Sequence, residues 1–379
     1  MTAVGLGRPD RTRTAAVTAG LVVGGCLTWN VSNVGAVADP LSEAYGVSLA
    51  AVGLLTTALF VTHLLVQLPA GRGADRLGAR AVALAAIAAT VAGCALLLVD
   101  DQYPLALVGR AIVGIGSGAG FVAGLDLVRA GGGGAVVQGL YGGATMAGGG
   151  LALMIVPALT EATDWRAPYW TALLLALVAA VPALAATGLP RVGDAGEGVV
   201  RDARLLPLGV IQAGSFGLAV VAGNWAVPLL ERQGVDPAAA GVAAGLVLFA
   251  GILTRPGGGW LAARGAGTRV AALGLAGVAA GSAVLALGGP LWLSTGAALV
   301  LGLGAGLPFA VVFAAAQRLR PDAPAAAMAA VNGAAILAIL VGTPLAGLAF
   351  DLPGDGRVAF ATIAGLSAAA LVVLRRASL

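Results

Sequence analysis

Twelve apolar stretches dominate the chain, at about 14–37, 48–70, 81–99, 105–125, 136–158, 167–189, 207–230, 240–260, 269–289, 291–316, 325–350 and 357–374. Each is long enough, at about 1.5 Å per helical residue, to cross a hydrocarbon layer of about 30 Å. This leaves little choice of fold. No water reaches such a layer, so backbone N–H and C=O groups must be satisfied within the segment, and long apolar runs do this as helices. An all-α polytopic membrane protein is therefore expected. Composition agrees, with 59% hydrophobic and only 10% charged residues, against about 25% charged in a soluble domain. The 60 glycines are mixed with Leu and Val in uncharged runs, as in closely packed membrane helices, and not in low-complexity blocks.

The arginines test this division independently. All 21 basic residues are arginine, and in membrane proteins these collect in the cytoplasmic loops. With the N-terminus inside, seventeen fall in inner segments, including Arg8, Arg11, Arg13, Arg72, Arg76, Arg80, Arg129, Arg191, Arg255, Arg264 and Arg269. Only Arg166, Arg232 and Arg357 fall outside, and Arg110 lies within the fourth stretch. Acids lean outward, among them Asp39, Glu43, Asp100, Asp101 and Asp351, and none lies clearly within a span. The expectation is a multi-pass protein of the cell inner membrane with both termini cytoplasmic. The net charge of +4 is then topological and does not point to nucleic acid. Arg8, Arg11 and Arg13 ahead of the first stretch, with Ala36-Val37-Ala38 after it, resemble a secretory signal. The run is too long for one and carries Trp29, Asn30 and Asn33, so it reads as a retained first helix. Cys26 and Cys94 sit inside apolar runs and read as packing residues.

Residues 190–206 form the longest polar stretch and split six spans from six. The expected domains are 1–189 and 207–379, joined by this linker. A loop motif occurs in both: Gly71-Arg72-Gly73-Ala74-Asp75-Arg76-Leu77-Gly78-Ala79-Arg80 after the second span, and Gly259-Trp260-Leu261-Ala262-Ala263-Arg264 after the eighth. Both read Gly-x-x-Ala-x-Arg, as internal duplicates would. On these features the chain resembles the major facilitator superfamily, whose signature loop here is G-x-L-A-D-R-x-G-R-R/K. Gly73 departs from the usual Leu, and Ala263 stands where the second copy often has an acid. The resemblance implies two pseudo-symmetric six-helix bundles and a secondary transporter working by alternating access, not an enzyme and with no cofactor. Gly71, Asp75, Arg76, Gly78, Arg80, Arg129 and Arg264 are the expected gating residues, with Arg129 a candidate partner for Asp75.

Polar groups within spans are few, and such groups usually face a cavity. Arg110 and Arg255 are the strongest candidates, and arginine with no counter-ion favours an anionic substrate. The Arg255-Pro256-Gly257-Gly258-Gly259 run is similar to that of the nitrate/nitrite porters, which clamp an oxyanion between one arginine of helix two and one of helix eight. By the repeat, Gln67 is the helix-two counterpart of Arg255, since each lies four residues before its motif glycine. Asn30, Asn33, Tyr141, Asn224 and Trp225 are further substrate-site candidates, with Gln212 and Asn332 as weaker ones. His63 is the one side chain that titrates near neutral pH and is the expected proton-coupling residue. The leading expectation is a proton-coupled, monomeric, lipid-embedded carrier of a small anion. A multidrug/proton efflux antiporter of the same fold is the alternative, and it would want a carboxylate in the membrane. A membrane enzyme or receptor would want a catalytic cluster or a large soluble domain, and the sequence offers neither.

Overall fold

A computed structural model describes residues 11–99, 101–190, 192, 198–350, 352–377 and 379. Arg8, Asp100, Arg191 and Asp351, and most of 191–197 in the linker, lie outside the described residues. Among the described residues, twelve helices are long and apolar enough to cross a membrane. They are α1 Arg11–Ser32, α2 Leu49–Leu77, α3 Ala79–Val99, α4 Tyr103–Ala130, α5 Ala135–Ala162, α6 Ala167–Ala185, α7 Ala203–Arg232, α8 Ala239–Ala263, α9 Gly267–Leu287, α10 Leu291–Leu319, α11 Pro324–Ala349 and α12 Arg357–Arg376. The chain is all-helical in two six-helix bundles. Crossing twelve times returns it to the face where it began, called here the termini face; the other is the far face.

The helices start and stop where backbone chemistry allows, which differs from where hydropathy changes. Helix α1 ends at Ser32, and a 3-10 turn, Gly35–Val37, leads into a short helix, Ala38–Tyr45. Helix α2 runs on through the motif to Leu77 and stops at Gly78, whose φ of 95° suits a residue without Cβ. Helix α4 continues to Ala130. Apolarity marks only the part of a helix in hydrocarbon; hydrogen bonding carries the helix into the interface until a glycine breaks it. One expectation is corrected by this. Asp75 and Asp126 both lie within long helices and are buried, so the spans are not free of acid. The Gly288-Gly289-Pro290 turn does separate α9 from α10, with Pro290 as the N-cap of α10.

Packing repeats six helices on. Helix pairs α1–α5, α2–α4, α3–α4 and α3–α6 recur as α7–α11, α8–α10, α9–α10 and α9–α12. The bundles meet along two seams, α2 with α11 and α5 with α8, which the same symmetry exchanges. Lipid tails are as apolar as leucine, so association depends on close contact through small residues. A Cβ on Gly71 would lie 2.7 Å from the Ala326 Cα, and one on Gly259 would lie 2.2 Å from the Ala135 carbonyl oxygen. Leu65, Val181, Leu253 and Val372 point outward and are exposed, as the lipid-facing side of such helices requires.

Helix α7 is irregular at mid-span. Residues Ala213–Gly217 of α7 form a π turn, a feature frequent at functional sites. Ser367 of α12 donates to the Gly214 carbonyl at 2.9 Å, giving a partner to an acceptor in the distorted turn.

Candidate functional site

Arg255 of α8 lies at the α5–α8 seam and is 1% exposed. Its guanidinium donates across the seam to the Gly142 carbonyl at 2.6 Å and to the Thr145 hydroxyl at 3.2 Å, both on α5. The guanidinium carbon is 4.2 Å from the ring centre of Phe309 on α10 and 4.8 Å from that of Phe216, in the π turn of α7. Phe309 also packs on Phe121 of α4 and Phe313 of α10, so side chains of α4, α5, α7, α8 and α10 converge here. Room for the arginine depends on Gly142, where a Cβ would fall 2.6 Å from the Phe309 ring and 2.7 Å from Arg255 Cδ.

The charge of Arg255 is poorly compensated. A buried cation normally has an acid and a full set of acceptors. Here Nε and Nη2 have no hydrogen-bond partner among the described residues. Cation–π contact contributes about 0.5–2 kcal/mol per ring, well short of the several kcal/mol that desolvating an ion costs. An anion placed against Nε and Nη2 would supply the missing charge and the missing acceptors.

Arg110 is equally buried but differently satisfied. On α4 toward the far face, it donates to the Leu55 carbonyl, Asn33 Oδ1 and the Asn30 carbonyl at 3.4, 3.4 and 2.9 Å. Asn33 donates onward to the Pro168 carbonyl at 2.7 Å. All these partners belong to the first six helices, so Arg110, Asn30 and Asn33 are brought together as an internal tie of that bundle, apart from Arg255.

The other candidates divide. Tyr141 is buried, donates to the Phe121 carbonyl at 2.6 Å and meets the Phe121 ring edge to face, next to the Arg255 group. His63 is buried, with Nδ1 2.9 Å from the Ser117 hydroxyl of α4. Gln67 is buried at the α2–α11 seam with both amide atoms unpartnered among the described residues. Asn224 and Trp225 lie toward the far end of α7 and bond to the hydroxyl and carbonyl of Thr343 on α11, which places them away from Arg255.

On the termini face, Asp75 is fully buried, and its two carboxylate oxygens accept the N–H groups of Ala325 and Ala326 at 3.0 Å each. The N-cap of α11 is Ala323, which has no side-chain acceptor, so Asp75 caps α11 from the other bundle. The expected pairing with Arg129 is corrected: Arg129 bonds to Asp126 at 2.5 Å, one turn earlier on its own helix. A second tie between the bundles joins Gln138 of α5 to Gln317 of α10 at 3.2 Å. Arg80 donates to the carbonyls of Ala183 and Leu184 at the end of α6, and Arg264 stacks on Trp260, 3.4 Å from its ring centre. Arg76 is exposed, and Gly78 ends α2.

Sequence reasoning did not find Gly142, Thr145, Phe216 or Phe309 as neighbours of Arg255, nor Asp126 as a buried acid. No local pattern marks them. The four neighbours come from three helices and are apolar or small, so only the packing assembles them.

The family model described as Major Facilitator Superfamily matches residues 20–212. No curated protein matches. Among solved structures, the human organic anion transporter MFSD10 (TETRAN) is 16% identical with a TM-score of 0.78, covering 97% of this chain and 100% of its own. The Escherichia coli fucose:proton symporter FucP (N162A) is 16% identical with a TM-score of 0.72 over 96% and 99%. The proton:xylose symporter XylE, bound to 6-bromo-6-deoxy-D-glucose, is 10% identical with a TM-score of 0.76 over 96% and 95%. At these identities the likeness is one of fold.

Proposed function

The chain belongs to the Major Facilitator Superfamily and is a multi-pass transporter and not an enzyme; from that premise we propose that it carries a small anion by proton-coupled alternating access, with Arg255 holding the anion. One observation supports this above the others: a fully buried arginine at the α5–α8 seam, between two phenyl rings, with two unpartnered donors and no acid against it among the described residues. A carboxylate or similar oxyanion would supply the missing charge and accept from Nε and Nη2. That a structural neighbour is an organic anion transporter is consistent with this reading, and the proton symporters among the neighbours with the coupling.

The same contacts suggest how binding couples to movement. In the present arrangement Arg255 clasps α8 to α5 through the Gly142 carbonyl. An anion competing for the guanidinium weakens that clasp, while Asp75 and the Gln138–Gln317 pair hold the termini face shut. Release of those ties on the loaded carrier lets residues 1–189 and 207–379 rock about the linker 190–206. We assign the termini face to the cytoplasm of the inner membrane on the arginine bias. His63, hydrogen-bonded to Ser117, is the proposed proton site. Arg110 is assigned a structural role, because its donors are already engaged within one bundle.

The test is uptake of a panel of labelled anions into proteoliposomes with and without a pH gradient. Accumulation driven by the gradient and lost in Arg255→Gln is the expected result. Transport of lipophilic cations alone would overturn the anion reading and favour the efflux antiporter.

A further inference from the structure

At mid-depth of α2, α7 and α11 lie three buried amide groups that the anion site does not use. Gln67, Gln212 and Asn332 are 1%, 0% and 2% exposed. Both amide atoms of Gln67, both of Gln212 and Oδ1 of Asn332 have no hydrogen-bond partner among the described residues. Buried amides are nearly always paired, so three in one region point to a ligand's polar atoms.

Their positions converge. Gln67 is midway along the α2 stripe His63–Gln67–Gly71, whose ends meet Ser117 of α4 and Ala326 of α11. Asn332 is one turn from Met328 on α11, and Met328 contacts Gln317 of α10, the partner of Gln138 on α5. Gln212 is four residues from Phe216, the ring over Arg255. Gly71 against Ala326 and Leu64 against Gly333 bracket Gln67 and Asn332 in depth, and Gly209 against Ala334 sets Gln212 near that level. Resting on the assignment of Arg255 above, we propose that these three amides form the uncharged half of the substrate site. The solute is then a monoanion with a second, neutral hydrogen-bonding group, such as a hydroxyl or carbonyl, about one helical turn, roughly 6 Å, from its negative charge.

The pseudo-symmetry supports a single charge. Gln67 occupies the position in the first bundle that Arg255 occupies in the second, each four residues before its motif glycine. One seam therefore offers a cation and its symmetry mate an amide, which can donate and accept but carries no charge. A second anionic group placed there would be buried against a neutral partner and rejected. The phenyl rings of Phe216 and Phe309 suit a flat apolar body between the two ends.

Binding of benzoate, 4-hydroxybenzoate and terephthalate to the purified full-length protein, by calorimetry and thermal shift, tests this. The hydroxylated monoanion should bind about tenfold more tightly than benzoate, as one added hydrogen bond allows, and the dianion more weakly than either. Gln212→Leu and, independently on the other bundle, Gln67→Leu should bring the hydroxyl preference close to one. Each unliganded variant should melt no lower than the wild type, because an unpartnered amide has been removed. Equal affinity of the wild type for the two monoanions, or a preference kept in both Leu variants, overturns the inference. It leaves the Arg255 assignment standing provided Arg255→Gln loses both monoanions. No binding of any probe, or undiminished binding by Arg255→Gln, overturns both.

Discussion

Replacing Asp75 by Asn removes one charge from a fully buried position and should open the termini face. The carboxylate accepts two N–H groups of the first turn of α11, at 3.0 Å each. A hydrogen bond to a charged group is worth about 1.5–3 kcal/mol against about 1 for a neutral one, and a charge at a partly buried helix end adds up to about 2 kcal/mol. Asparagine keeps one neutral acceptor and turns an NH2 group toward the second N–H. The net loss is about 3 kcal/mol, roughly a hundredfold in the equilibrium between closed and open termini faces. A wild-type population of about 99:1 would move to about 1:1. Spin labels at Leu77, the exposed end of α2, and Arg318, near the end of α10, report this opening as a second, longer distance in nanodiscs. A single unchanged distance in a well-folded Asp75→Asn protein would refute the reasoning, since it would mean that the cap contributes nothing to closing the seam.

Gly142→Ala should displace Arg255, because the new methyl would sit 2.6–2.7 Å from Phe309 and Arg255 Cδ; monoanion affinity is expected to fall at least tenfold while the protein still folds, as measured by calorimetry. Arg110→Gln leaves the carbonyls of Leu55 and Asn30 and Asn33 Oδ1 short of a donor and should cost about 3 kcal/mol. It should lower the melting temperature in detergent with affinity little changed; lost affinity at unchanged stability would return Arg110 to the substrate site. At the linker, Arg204 holds the Asp202 carboxyl, and Arg320 that of Asp322, below the ordinary carboxylate range, and Arg320 also reaches Asp202 at 3.8 Å. Folded values below the unfolded ones mean that this stabilisation is complete above about pH 4 and is lost as pH falls through the lowered values. Protection factors for hydrogen exchange at residues 198–206, taken against the intrinsic rate at each pH, should stay constant on acidification until that range is reached.

The two buried arginines show how far the sequence reaches. Both stand in apolar helices within two residues of a glycine, and both lack a nearby acid in sequence. Arg110 meets three acceptors of its own bundle, whereas Arg255 meets two acceptors of the other bundle and two rings. That difference is made by α1, α2, α5, α7 and α10, whose residues are far away in the chain. Asp75 is similar: a carboxylate in an arginine-rich loop suggests an ion pair, yet the better donors are backbone N–H groups 250 residues away, freed because α11 begins at an alanine that cannot cap itself.

The count of helices and their duplication were legible in the linear sequence because a bilayer imposes a one-dimensional rule. A span needs about 20 apolar residues, and its ends are marked by charge, so no partner segment has to be known. Which polar groups meet follows no such rule. It depends on the close approach that Gly71, Gly142 and Gly259 permit at the two seams, and on a π turn in α7 that carries the Phe216 ring onto Arg255. Those choices are made by helix against helix, and only the tertiary structure decides them.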